Sequence, residues 1–172
     1  ALESGLAIAE AYQRQDRLVL AKELLHTMLR WQMDPVSRAK IQLRLGAIAL
    51  TLGNGVQART LFILAAEAKD PDIQQAALSG LGDAQMFFGN FAQARQFYEE
   101  SIRRPDDAAR QADSQGQVLS GSGSTRAALV SYAMYQLGRV ALQLGDLEGA
   151  IATFQQLALN SDAAIADEAR LA

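Results

Sequence analysis

Leu81-Gly-Asp-Ala-Gln-Met-Phe-Phe-Gly-Asn-Phe-Ala-Gln-Ala-Arg-Gln-Phe-Tyr-Glu-Glu-Ser-Ile102 reads as two short amphipathic helices broken at Gly89-Asn90. Its skeleton is Leu81-Gly82, Gly89, Ala94 and Tyr98. The same skeleton stands upstream as Leu45-Gly46, Gly53, Ala58 and Phe62, and downstream as Leu137-Gly138, Gly145, Ala150 and Phe154. In all three the offsets from the first glycine are 7, 12 and 16 residues. A looser copy, Ile8-Ala9, Asp16, Ala21 and Leu25, opens the chain at the same offsets. One spacing met four times marks an internal repeat.

A glycine inside a helix costs about 1 kcal/mol relative to alanine. Three at equivalent places imply close packing that offsets the cost. The two helices of a unit are expected to cross at Gly46, Gly82 and Gly138, with Ala58, Ala94 and Ala150 opposite. Phe62, Tyr98 and Phe154 are expected to fill the space between one unit and the next.

These residues resemble the tetratricopeptide repeat (TPR), a helix-turn-helix unit of about 34 residues. The resemblance implies an all-α chain, a right-handed α-α superhelix of about four units plus a final helix. The units fall at 2–33, 35–69, 71–104 and 125–160, and the last helix at 162–171. Residues 105–124 stand apart as an insertion, because Gly46 to Gly82 is 36 residues and Gly82 to Gly138 is 56.

Local signals set the boundaries. In the first unit Ala9 and Asp16 replace the two glycines, and Asp16 is expected to cap the second helix through its carboxylate. Asp34-Pro35 and Asp70-Pro71 open the next two units, since proline at a first helical turn gives up an N–H that has no partner there. Pro105 is expected to end the third. Within the insertion, Pro105 to Gln111 suits a short helix and Ser120 to Thr125 has the composition of a flexible linker. A phosphate-loop reading of that Ser-Gly run fails for want of a lysine and a preceding strand. Ser124 is expected to cap the following helix, and Asn160-Ser161-Asp162 to break to the last one. Because the chain opens inside a helical pattern and closes on the start of another unit, a longer array or larger protein is expected around it.

Composition bounds the function. The chain has 172 residues, 49% hydrophobic and only 6% aromatic, so alanine and leucine carry the core. A net charge of -3 argues against a nucleic-acid surface. No apolar run approaches the roughly 18 residues that a membrane span needs. There is no cysteine, which leaves cytoplasm and periplasm equally compatible. His26 is the sole histidine and reads as a solvated surface residue. A metal site would need carboxylates alone, and no Ser-His-Asp set has support. Glu99-Glu100 and Asp106-Asp107 are adjacent on helices and so do not face each other. No enzyme, cofactor or metal is expected.

Stacked two-helix units coil around a concave surface. In the family that the chain resembles, first helices line that surface and hold peptides or helices of protein partners. The positions one after the first glycine, and two and six before it, face the groove. Carried over, these are Glu3, Ala7 and Glu10; Lys40, Arg44 and Ala47; Ala76, Gly80 and Asp83; Tyr132, Gln136 and Arg139. One turn further lie Arg14, Thr51, Phe87 and Gln143. The clamp by which some family members grip a C-terminal carboxylate needs asparagines where this chain has Glu10, Ala47 or Asp83, and Arg44, Gly80 or Gln136. The partner-binding set expected here is instead Lys40, Arg44, Asp83, Phe87, Tyr132, Gln136, Arg139 and Gln143, with Tyr135 divided between groove and core. The expected function is a non-catalytic protein–protein scaffold in a bacterial multiprotein assembly such as envelope secretion, exopolysaccharide export or pilus assembly. Alternatives are a chaperone for a secreted partner and a ligand-sensing or regulatory domain. Self-association through the end helices is also open to such an array.

Overall fold

Four helix hairpins follow one another in a computed structural model, which describes the backbone of residues 2–115 and 123–171 and the side chains of residues 2–103 and 126–160. The helices are α1 (Leu2–Arg14), α2 (Leu18–Met28), α3 (Pro35–Thr51), α4 (Gly55–Ala66), α5 (Pro71–Phe87), α6 (Phe91–Gln115), α7 (Gly123–Gln143) and α8 (Leu147–Leu171). No strand occurs among the described residues. The chain is an α-α solenoid.

Each hairpin turns in the same way. Asp16, Gly53, Gly89 and Gly145, the offset-7 positions, all have φ between 58° and 77°. At each, the N–H of the next residue returns to a carbonyl five residues back, as from Asn54 to Ala49 at 2.7 Å and from Arg17 to Tyr12 at 2.8 Å. This is the Schellman ending, which satisfies the last carbonyls of the first helix and requires a left-handed residue. Asp16 therefore does not cap α2. It occupies the left-handed position that glycine takes elsewhere, and the N-cap, Arg17, makes no side-chain capping bond. Asp34 and Asp70 do cap, accepting from the backbone N–H of Ser37 at 2.9 Å and Ile73 at 3.0 Å.

The three interior glycines have one environment. A Cβ on Gly46, Gly82 or Gly138 would stand 2.5 Å from the ring of Phe62, Tyr98 or Phe154 of its own unit. Phe62 also reaches the next unit, because a Cβ on Gly80 would meet it at 2.5 Å as well. Helix meets helix through small residues here, and Ala58, Ala94 and Ala150 are fully buried as well. Among the described residues, contacts join α3 to α5 and α5 to α7, and none as extensive joins α4 to α6 or α6 to α8. First helices thus line the inside of the curve and second helices the outside.

Three boundaries differ from expectation. The α6 backbone continues through Pro105 to Gln115. Arg104 has no short acceptor with which to cap a new helix, and Ala108-Ala109-Arg110-Gln111 are strong helix formers. The α8 backbone runs through Asn160-Ser161-Asp162 to Leu171, so 162–171 extends the fourth unit's second helix. No proline stops it, unlike at Pro35 and Pro71, where the preceding aspartate is held extended. Helix α7 starts at Gly123, which places Ser124 inside it. Residues 116–122, which include the first half of the linker-like Ser120 to Thr125 stretch, lie outside the described residues.

Candidate partner-binding groove

The inner surface of α3, α5 and α7 holds an open concavity of about 510 Å³. Its apolar wall is Leu50, Met86 and Phe87, and Phe87 is 50% exposed. Its polar wall is Asp83, Tyr132, Gln136 and Arg139, with Phe62 and Tyr98 also reaching it.

Five of the eight expected groove residues meet there: Asp83, Phe87, Tyr132, Gln136 and Arg139. Ala47 and Thr51 join them. Lys40, Arg44 and Gln143 do not line it. Lys40 lies a turn before Arg44 along α3, exposed. Arg44 forms an ion pair with Glu10 of the first unit. Gln143 is exposed at the last residue of α7. Gly80 is buried under Phe62, because α5 and α4 approach there too closely for a groove. Tyr135 is 49% exposed, with its ring 6.1 Å from that of Phe154 and the Arg139 guanidinium over it.

The polar wall is one hydrogen-bonded chain. Arg139 Nη1 donates to Gln136 Oε1 at 3.0 Å, and Gln136 Nε2 donates to the Tyr132 hydroxyl at 2.8 Å. Tyr132 donates to the Asp83 carboxylate at 2.9 Å, and Tyr98 donates to Asp83 Oδ1 at 2.6 Å. Asp83 thereby ties both helices of its own unit to the first helix of the next. Burial pushes its carboxyl above the ordinary value of 3.8, against the opposing pull of the two tyrosine hydroxyls and Arg139. Burial, and then the charge of Asp83, push the Tyr98 and Tyr132 hydroxyls up, so both stay protonated donors.

The sequence marks Tyr98 only as packing, and its hydroxyl is the element that sequence reasoning missed. The available signal is a tyrosine where the equivalent positions are Phe62 and Phe154. A buried tyrosine hydroxyl asks for a partner, and Asp83 is the nearby acid. Among the described residues no three His, Cys, Asp or Glu side chains gather to hold a metal ion. None of the described helices is long and apolar enough to cross a membrane.

Fold and groove together define a helical-repeat scaffold with a lined concave face. Residues 75–100 and residues 132–161 each match a tetratricopeptide repeat family model. Two crystal structures of the nearly identical TPR-like repeats of a putative kinesin light chain from Podosopora anserina, one of them a single-substitution variant, are similar in fold. The TM-scores are 0.65 and 0.66 at 20% identity, over 94% of this chain and 75% of those. Comparison with curated proteins gives no match. The two repeat matches and the TPR-like neighbours in fold support a place for the chain in the tetratricopeptide repeat family. Domains of this family bind protein partners, and the fold typically serves as a non-catalytic scaffold.

Proposed function

We propose that the concavity between α3, α5 and α7 holds a peptide or helix of a protein partner. The observation that carries this is an exposed aromatic, Phe87, standing across an open cleft from a preorganised polar wall. Aromatic and arginine side chains at the centre of a recess are the usual anchors of an interface. The wall is already hydrogen-bonded in the free protein, so it loses little freedom when a partner arrives. Tyr132 and Asp83 orient the wall, while Phe87 and Arg139 face the occupant.

Selection of binding peptides from a random library, followed by titration, tests this. Phe87→Ala and Arg139→Ala are expected to weaken the selected peptides on the order of ten-fold or more each, the scale of an interface anchor. Ala47→Trp, which fills the cleft, is expected to abolish binding while the helical signal is kept. Peptides that bind all three variants as well as the parent chain would place recognition elsewhere.

A further inference from the structure

Two departures from the repeat meet at the junction of units two and three. Nine residues after the first glycine stand Phe91 in unit three and Leu147 in unit four, and the same place in unit one is Leu18. Leu18 and Phe91 each pack against the cluster that joins their unit to the next. Unit two has Gly55 there, which brings no side chain to its junction. Five residues after the first glycine, or its equivalent Ala9, the units carry Arg14, Thr51, Phe87 and Gln143, so an apolar ring stands there in unit three alone.

The two departures touch. Gly55 is buried in the first turn of α4, and a Cβ on it would stand 2.5 Å from Cδ1 and 2.8 Å from Cε1 of Phe87. It would also stand 3.0 Å from Cζ of Phe88, whose ring meets that of Phe87 edge to face at 5.6 Å. Phe87 thus supplies from α5 the side chain that α4 lacks. Its ring lies on the bare backbone of Gly55 beside Phe88, and it is half exposed where it lines the concavity. Carbon atoms in good contact are about 3.5–4.0 Å apart, so even a methyl at residue 55 displaces the ring by about 1 Å. With Phe88 on one flank, the open side is the concavity. The turn itself does not ask for glycine at residue 55. Its left-handed residue is Gly53, and its cap is Asn54, which accepts from the Gln57 N–H at 3.2 Å.

We propose that Gly55 is a positioning residue for the groove. By giving up its side chain it seats Phe87 at the rim and keeps the cleft open on its apolar side. This rests on the groove proposed above and adds what sets its width.

Two measurements on the 172-residue chain test it. The first is fluorine NMR with 4-fluorophenylalanine at the six phenylalanines, the Phe87 signal being identified by its loss in Phe87→Ala. Gly55→Ala and Gly55→Leu are expected to shift that signal, leucine more than alanine, and to leave the Phe154 signal in place. Cap and turn are untouched, so the helical signal is expected to hold. The second is titration with library-selected peptides that Phe87→Ala weakens. Gly55→Leu, which installs the residue of units one and four, is expected to weaken them on the order of ten-fold. In the Phe87→Ala background it is expected to cost nothing further, since no ring is left to displace. A general packing defect would cost the same in both backgrounds. A Phe87 signal that stays in place in both variants overturns the proposal. So does undiminished binding by Gly55→Leu, or an equal loss in the Phe87→Ala background. Peptides weakened by Phe87→Ala and not by Gly55→Leu leave the groove standing without this role for Gly55. Peptides indifferent to both substitutions remove the groove as well.

Discussion

Gly82→Ala and Gly138→Ala make the same local change with different expected consequences. In each, the new methyl would stand 2.5 Å from a ring of its own unit, Tyr98 or Phe154. Each also replaces a helical glycine, which favours alanine by about 1 kcal/mol. Carbon atoms in good contact are about 3.5–4.0 Å apart, so the ring has to retreat by about 1 Å. Tyr98 has nowhere to go. It is fully buried in a cluster with Ala133 and Val140 of α7, and its hydroxyl is held on Asp83 at 2.6 Å. Overpacking costs about 1–3 kcal/mol and a displaced hydrogen bond to a charged group about 1.5–3 kcal/mol. Less the propensity gain, Gly82→Ala is expected to destabilise by about 1.5–5 kcal/mol, lowering Tm by about 3–20 °C. Phe154 is half-buried and has no hydroxyl to hold it, so it can swing aside. Gly138→Ala is expected to be neutral or to stabilise by up to about 1 kcal/mol. Thermal and urea unfolding followed by circular dichroism would measure both. Hydrogen exchange of the α5 and α7 amides should accompany them, since repeat arrays can unfold piecewise. Equal losses in the two variants, or a gain in Gly82→Ala, would show that ring freedom does not control these sites.

Asp83→Asn keeps the Oδ1 acceptor for both tyrosines and removes a charge that burial disfavours. Because the folded carboxyl titrates above its ordinary value of 3.8, the native state binds more protons than the unfolded one between the two values. The stability of the parent chain should therefore fall, relative to Asp83→Asn, as pH rises through that window, and level off above it. Urea midpoints of the two proteins from pH 3 to 7 give the comparison, and a relative gain with rising pH would contradict it. Asp16→Gly relieves a left-handed aspartate with φ 58° and is expected to stabilise by about 1 kcal/mol, read as a higher urea midpoint at unchanged slope. Gln75 is 1% exposed, and its amide N and O have no hydrogen-bond partner among the described residues. Gln75→Met, of similar shape, is expected to stabilise by about 1–2 kcal/mol, and a loss in thermal unfolding would reveal a partner such as a buried water.

The repeat, its helical class and its turns are legible in the sequence because they rest on local chemistry. A left-handed turn asks for glycine, a capped first turn for Asp-Pro, and a close helix crossing for a small residue opposite a ring. Offsets 7, 12 and 16 record those needs in one dimension, and Gly46, Gly82 and Gly138 meet the same environment in three. Asp16 misleads because an aspartate can serve either as a cap or as a left-handed residue, and only the backbone decides. The Tyr98–Asp83–Tyr132 tie, the burial of Gly80 and the pairing of Arg44 with Glu10 are not legible, because each joins residues from different helices at a distance set by packing. Helical phase places Tyr132, Gln136 and Arg139 on one side of α7. The stacking of α5 and α7 brings them opposite Phe87, because shape complementarity between units, which no single helix encodes, sets how the side chains converge.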